Sequence, residues 1–429
     1  MSTSSCPTCH TLVSTPEIST TSFLLPSPDV PLGTWSVIAC DQFTSTPEYW
    51  QAVEGIVGQA PSTLRMIYPE VYLDSEDDTQ RTRRVEEIND TMDAYMSRRL
   101  LSELPDSAIL VERITPTREL RWSLLCVVDL EAYSFAPDAK CAVRPSEMTV
   151  PERIPPRAAV RRNAALELSH VQLLFDDPEH TVLETVEAQI DKNTDLLYDT
   201  ALMQGGGHVR GYRIPGESAA WKALDAGFAA LSAPGDGTFH FAVGDGNHSL
   251  ATAKTHWEAL KAQGAEANHP ARWSMVELLN IHDPAIPFEP IYRLVYGASA
   301  EQLQDFAHKF WADKDAPSEM EIVLVEAGGE HVLRVPREKT LLMEDLQPML
   351  DAFVTEVFPG KPEVLDYIHG DAELRELASV GNCVGILLPD LDRHVLFPYV
   401  SANGPMPRKT FSLGEAEDKR YYLEARAIR

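Results

Sequence analysis

Basic residues are scarce in this chain of 429 residues. Lys and Arg number 37 against 65 Asp and Glu, so the formal charge is −28 at pH 7. Such a chain repels phosphate backbones and anionic lipid heads unless a local basic patch overrides the mean. Neither nucleic-acid binding nor membrane binding is expected. Cysteine is also sparse: six in the whole chain do not make a disulfide framework. No apolar run approaches the roughly 18 residues of a membrane span. The longest, such as Leu124 to Val128, have the length of buried strands. There is no Walker A motif, no G-x-G-x-x-G fingerprint, no H-E-x-x-H and no G-x-S-x-G.

What is present is ordinary globular composition, with 44% hydrophobic residues, which excludes wholesale disorder. At about 150 residues per domain the length suggests two or three domains. Twelve of the first 22 residues are Ser or Thr, and no Lys or Arg precedes Arg65. A secretory signal needs a basic start and an apolar middle, and a transit peptide needs arginines. Residues 1–22 therefore read as a disordered leader on a cytoplasmic protein. Within it, Cys6-Pro-Thr-Cys9-His10 matches the haem-attachment pattern and half of a zinc site. Without an export signal or a second Cys pair, it reads as a surface segment that at most scavenges metal.

Apolar spacing predicts a mixed α/β fold. The main domain spans 23–300, and a smaller α+β portion spans 301–429. Trp35 to Gln42 reads as a short strand, which would place Asp41 at its C-terminal end, a common position for site residues in open α/β sheets. Thr46-Pro47-Glu48 can start a helix. Arg81 to Leu104 reads as a long helix, and 109–113, 122–130 and 170–175 read as strands. Five arginines, Arg144, Arg153, Arg157, Arg161 and Arg162, form a cationic spot that suits a phosphate or carboxylate. Salt bridges to Glu147, Glu152 and Glu167 are the more ordinary explanation. Pro407-Arg408-Lys409-Thr410 is a second compact basic spot, with Arg408 as its candidate ligand.

The most informative segment is strand, Gly-rich turn, helix. Thr238 to Val243 alternates as a strand does, Gly244-Asp-Gly-Asn-His-Ser249 follows, and Leu250 to Gln263 has helical spacing. The first N–H groups of a helix lack intrahelical partners, and the helix dipole adds positive charge there. Gly244 and Gly246 would let the turn curl its amides toward one anion. Asp245 offers a metal ligand or proton acceptor, His248 a donor or base, Ser249 a hydroxyl, and Lys254 a cation at the flank of the buried stripe. Asn247 or Ser249 could equally serve only as a cap. Gly-Asn-His at 246–248 also evokes a metallophosphatase element, but the acid that should follow is missing.

Gly244-Asp-Gly-Asn-His-Ser-Leu-Ala-Thr-Ala-Lys254 resembles the signature of the uncharacterised family called domain of unknown function 1015. The likeness continues in Met275 to Pro284, Pro290-Ile-Tyr-Arg293, Glu152 to Arg157, Leu202 to His208 and Pro407 to Glu415. It covers nearly all of the chain after residue 30, and the family name supplies no function. The Asp-Gly-x-His turn is also similar to the phosphate-binding turn of ParB/sulfiredoxin-like proteins, which handle nucleotides and include a free-serine kinase. That resemblance implies a ParB/sulfiredoxin-like core. Many of those proteins carry Arg directly after the His, where this chain has Ser249, so Lys254, Arg293 or the 144–162 arginines would have to supply the cation. Sulfiredoxin's reactive Cys is replaced by Asn247, so its thiol chemistry is not implied.

The sequence thus leads to the expectation of a nucleotide-dependent phosphotransferase acting on a small metabolite, such as a hydroxy amino acid like serine. Mg²⁺ and a nucleoside di- or triphosphate would be its cofactors. Asp245, His248 and Asp41 would be catalytic, with Asp245 as the metal ligand. Gly244, Gly246, Asn247, Ser249, Lys254, Arg293, Arg144 and Arg408 would hold phosphate. Alternatives are a metal-dependent phosphoester hydrolase using Asp245, Asn247 and His248, and a non-catalytic nucleotide sensor.

Overall fold

The computed structural model describes residues 17–73, 75–117, 119–151, 154–231 and 237–429. The Cys6-Cys9-His10 segment and Arg153 lie outside the described residues. The chain is mixed α/β, built on one large and one smaller sheet. The large sheet contains β1 (Ile18–Ser19), β2 (Thr21–Pro26), β3 (Leu101–Ile114), β4 (Leu120–Asp129) and β5 (Val143–Pro145). A short β6 (Leu166–Glu167) lies outside that sheet. The large sheet then takes β7 (Gln172–Phe175), β8 (Leu196–Ala201), β9 (His208–Pro215), β10 (Phe241–Asp245) and β11 (Trp273–Asn280). The order is β5-β10-β7-β11-β4-β3-β9-β8, with β1 beside β4 and β2 beside β3. From β5 to β4 parallel pairs (β5 with β10, β7 with β11) alternate with antiparallel ones, and the rest of the sheet is antiparallel.

The central strands are near-continuous apolar runs because both faces of the sheet are covered. Ala108, Leu110, Leu124, Cys126 and Val128 point into one core, together with Leu250, Ala253 and Trp257 of the helix Asn247–Ala262. The alternate residues Ile109, Val111, Leu125 and Val127 point into the other, against Ile88, Met92 and Tyr95 of the helix Asp78–Ser97. Period-two alternation thus fills two layers from one strand pair.

The five-stranded sheet follows β12 (Phe288–Pro290). It comprises β13 (Tyr292–Tyr296), β14 (Ser318–Glu326), β15 (Gly329–Arg337), β16 (Leu365–Ile368) and β17 (Cys383–Leu387), in the order β15-β14-β17-β13-β16. The chain then returns to the large sheet's side. β18 (Phe411–Leu413) pairs with β12, and β19 (Arg426–Ala427) pairs with β6.

Three local expectations need correction. Ile18 pairs with Val128 and Thr21 with Ser107, so residues 18–22, expected to be part of a leader, belong to the strands of the large sheet or the link between them. The helix expected over 81–104 starts at Asp78 behind an Asp77–Gln80 capping box and ends at Ser97. Arg99 has φ of 56°, which turns the chain out of the helix, and Leu101 to Leu104 belong to β3. Trp35 to Gln42 is not a strand. Val37, Ile38 and Ala39 are buried, but their segment meets the C-terminal return through separate bonds: Ala39 N–H to Lys419 C=O (2.7 Å) and Tyr421 N–H to Val37 C=O (3.0 Å). Those bonds bring Asp41 beside Lys419's segment. The helix after Thr46 is present, as Pro47–Val57.

Candidate functional site

β10 lies antiparallel to β7, and its register shifts between Val243 and Asp245, where the Gly-rich turn begins. Gly246 has φ of 78°, a left-handed conformation that swings the chain into the helix Asn247–Ala262. A Cβ there would stand 2.9 Å from Val171 Cα, so the turn can sit against β7's approach only as glycine. Gly246 occupies the N-cap and offers no side-chain cap, and the first turn holds no acidic residue. The helical ladder starts with Leu250 N–H donating to Gly246 C=O (3.0 Å). The amides of Asn247, His248 and Ser249 therefore precede it, at the positive end of a 16-residue helix.

The turn forms one wall of a cleft of about 480 Å³. That volume lies in the range of small-molecule sites. Gly244, Asp245, Gly246, Asn247 and His248 line one side. Asp41, Gln42 and Phe43 line a second, the loop carrying Arg408, Lys409 and Lys419 a third, and His369 and Glu373 contribute from beyond β16. Five residues proposed from the sequence as parts of a phosphate turn thus share one wall, with Asp41 and Arg408 facing the same space.

The charges are paired across this space. Lys419 Nζ stands 3.1 Å from Asp245 Oδ2, and Asp245 Oδ1 accepts the Gly246 N–H at 2.6 Å. Burial works against the Lys419 ammonium, but Asp245, Asp41 and Asp418 outweigh it and raise its pKa. Asp41 Oδ2 lies 3.7 Å from both His170 Nε2 and Arg157 Nη2, and Arg157 also pairs with Glu70. Burial disfavours the Asp41 carboxylate, but His170 and Arg157 more than compensate and hold it well below the usual range. Burial likewise disfavours a charged His170, while Asp41 and Asp245 raise its pKa above the ordinary value. With His170 protonated, three cations (Arg157, Lys419, His170) meet three carboxylates (Asp41, Glu70, Asp245) in this network, and the cleft lining adds Arg408 and Lys409 and the carboxylates Glu147, Glu373, Glu415 and Glu417.

Two further features mark the cleft. Phe43 and Lys409 both line it with positive φ, 50° and 59°. Non-glycine residues held there cost about 1–3 kcal/mol each and cluster at functional sites. Glu147 fixes the loop that carries Arg408 by accepting the amides of Lys409, Thr410 and Phe411 at 3.0, 2.9 and 3.2 Å. Burial nevertheless pushes its carboxyl pKa up against those amides. In the turn itself, Asn247 Oδ1 is buried with no hydrogen-bond partner among the described residues, so a ligand donor aimed there would relieve a desolvation penalty.

The structure redistributes several proposed roles. Lys254 does not reach the turn: its Nζ donates to Leu130 C=O (2.8 Å) and pairs with Glu258 (2.7 Å). Arg293 is fully buried outside the cleft, bonded to Gln347 Oε1 (3.1 Å) and Ile291 C=O and stacked on Tyr367. Burial lowers its pKa to about 10. Arg144 is buried against Phe239 and bonds Cys141 C=O (2.7 Å) and Thr238 Oγ1 (3.0 Å), so it also holds structure rather than ligand. Ser249 turns its Oγ away from the cleft toward His170 Nε2 (3.4 Å). His248 stays on the wall, and its Nε2 accepts the Val150 N–H at 3.2 Å. A nitrogen that accepts from an amide carries no proton, so this contact favours neutral His248 with the proton on Nδ1.

Within the arginine cluster, Arg161 forms the expected salt bridge, pairing with Glu167 at 2.6 Å. Arg157 instead faces Asp41. His282 pairs with Asp176 (2.6 Å) and is absent from the cleft lining. Sequence reasoning missed His170 and Lys419. His170 leads into an apolar strand, and Lys419 lies in a segment without periodicity, so neither carried a local signal.

Among the described residues, no three His, Cys, Asp or Glu side chains are grouped to hold a metal ion. Mg²⁺ does not need such a cage, because one or two carboxylates plus phosphates and water suffice. Asp245 fits that need. Oδ1 meets the Gly246 amide and Oδ2 the Lys419 ammonium, and each oxygen retains acceptor capacity.

A family model described as "Protein of unknown function (DUF1015)" matches residues 22–353, most of the chain. Comparison with curated proteins finds no match. Solved structures similar to this chain include "Free serine kinase in complex with AMP", with 11% identity and TM-score 0.37, covering 71% of this chain and 91% of that one. Another is a mutant of the free serine kinase in complex with ADP, at 12% identity and TM-score 0.30, covering 62% and 91%. A conserved hypothetical protein from Pyrococcus furiosus has 10% identity and TM-score 0.30, covering 62% and 94%. Likeness this low carries no argument about activity. No helix among the described residues is long and apolar enough to cross a membrane.

Proposed function

The chain belongs to the DUF1015 family, which comes without a function, and we propose that this member is a nucleotide-dependent phosphotransferase acting on a small metabolite. One observation carries the reading. A single cleft gathers the uncapped N-terminus of a long helix, three cations (Arg408, Lys409 and Lys419) and, among its six carboxylates, Asp41 and Asp245. Phosphoryl transfer asks a protein mainly for positioning and charge neutralisation.

In this reading the amides after Gly246 receive a phosphate, and Arg408 and Lys419 neutralise its neighbours. Asp245 would hold Mg²⁺, which when bound screens the phosphate charge. His248 donates from Nδ1. Asp41, kept ionised by His170 and Arg157, accepts the proton of the acceptor hydroxyl. The acceptor oxygen bonds the terminal phosphorus, the bond from that phosphorus to its bridging oxygen breaks, and the nucleoside diphosphate leaves.

The test is to incubate purified protein with ATP and Mg²⁺ and pools of hydroxylated metabolites, serine included. Phosphomonoester is read by phosphorus NMR. Product that disappears in Asp41→Asn supports the assignment; product undiminished in that variant refutes it.

A further inference from the structure

Two histidines that the roles above do not use meet at the other end of the large sheet. β10 and β7 are antiparallel, with Asp245 beside Gln172, so the Gly-rich turn leaves where β7 begins. At the end of β7, Phe175 lies beside Asn280 of the parallel strand β11. The chain continues past that level on both strands, and supplies Asp176 from the first and His282 from the second. His394 arrives from the segment after β17. The ring centres of His282 and His394 are 4.8 Å apart, and their planes are tilted by 45°.

We propose that His282 and His394 bind one divalent transition-metal ion, through His282 Nδ1 and His394 Nε2, with water in the remaining positions. The separation of the rings is the first argument. With Zn–N bonds of about 2.0–2.1 Å and each ring centre about 1.15 Å beyond its nitrogen, two imidazoles at right or tetrahedral angles on one ion have centres about 4.5–5.3 Å apart. An aromatic contact alone also allows 4.8 Å, but it needs nothing behind the rings. Here each ring has a carboxylate on its other nitrogen. His282 Nε2 lies 2.6 Å from Asp176 Oδ1, and His394 Nδ1 lies 2.7 Å from Asp392 Oδ1. Metal-binding histidines almost always carry such a partner, which fixes the tautomer and turns the other nitrogen toward the ion.

The backbone holds both rings in register. His394 N–H donates to Asp392 Oδ1 (3.0 Å), so one short turn supplies a ring and its carboxylate. Arg393, between them, clamps that turn to the loop after β11. Its Nη1 donates to Ile281 C=O (2.9 Å) and Asp283 C=O (3.1 Å), and its Nη2 to Ile286 C=O (3.2 Å). His282 N–H is held by Asn280 Oδ1 (3.2 Å). Two imidazoles fall short of a three-ligand cage, so the site is weaker than a structural zinc centre. Imidazole donors select Zn²⁺, Ni²⁺ or Cu²⁺ over Mg²⁺, which prefers oxygen. The bound ion would cross-link the 392–394 turn to the loop after β11.

The test titrates Zn²⁺ into the full chain by calorimetry and follows its melting temperature. Cys6→Ser and Cys9→Ser are introduced first, so that the thiol pair does not compete. A saturable site and a rise in melting temperature are expected, and millimolar Mg²⁺ should displace neither. His394 is 66% exposed, so His394→Ala should leave the metal-free protein folded while both effects disappear. Asp392→Asn, which removes the charge behind the ring, should weaken Zn²⁺ about tenfold or more. No saturable binding up to millimolar Zn²⁺ would overturn the proposal. So would binding that His394→Ala leaves unchanged, or binding that Mg²⁺ displaces at similar concentration.

Discussion

Lys419 and Asp245 meet at 3.1 Å, and this pair ties the returning C-terminal segment to the Gly-rich turn. Both side chains are mostly shielded, at 16% and 20% exposure. Lys419→Met would leave Asp245 facing the cleft without its cation. The expected cost is roughly 1–3 kcal/mol of stability, from an ionised group stripped of its partner. Denaturant titration of the variant checks this, and an unchanged midpoint would mean that solvent replaces the ammonium at no cost.

His170 and Asp41 predict a pH dependence of opposite signs. The folded His170 pKa is raised above 6.5, so its stabilisation is complete below pH 6.5 and is lost as pH rises through the folded value. Asp41 is depressed below 3.8, so its stabilisation is complete above that pH and is lost as pH falls through the folded value. Between about pH 5 and 6 both are near full strength. The stability difference between the natural chain and His170→Gln should therefore shrink as pH is raised from about 6 to 9. A difference that stays constant across that range would contradict a protonated His170 beside Asp41.

Gly246→Ala is expected to lose about 1–3 kcal/mol, from φ of 78° and a Cβ 2.9 Å from Val171 Cα. Because the strain falls on the turn that presents the helix amides, ATP affinity should fall as well. Thermal melts with and without ATP separate the two effects. Full stability in this variant would show that the turn can relax into another conformation.

Lys254→Ala separates the sequence-based and structural assignments of the cation. Lys254 holds Leu130 C=O and Glu258, so the substitution should cost about 1 kcal/mol and leave nucleotide affinity unchanged. A tenfold loss of affinity in a folded variant would return Lys254 to the site.

How much was legible depended on how local the signal was. Strand, turn and helix around Gly244 to Ser249 could be read because two periodicities meet at two glycines. Asp41 was singled out for ending a strand, but it reaches the cleft by another route: its segment is tied to Lys419 by Ala39 N–H rather than to a sheet. Lys254 was misplaced because helical spacing gives a residue's face and not the reach of its side chain. Arg293 and Arg144 were read as ligand cations, but each is buried against an aromatic ring and satisfied by nearby oxygens. His170 and Lys419 enter through contacts to Asp41 and Asp245, partners far away along the chain, and no window of the sequence contains such pairs.

Calorimetric titration of ATP, ADP, CTP and GTP with Mg²⁺ into the natural chain and into Arg408→Ala tests the phosphate turn most directly. Arg408 is exposed at the cleft and has no part in the core, so its removal should leave the fold intact. Saturable binding of at least one nucleotide, weakened about tenfold in Arg408→Ala by loss of a charge-assisted contact, is the expected result. Absence of binding for all four nucleotides, or equal affinity in the two proteins, would contradict it.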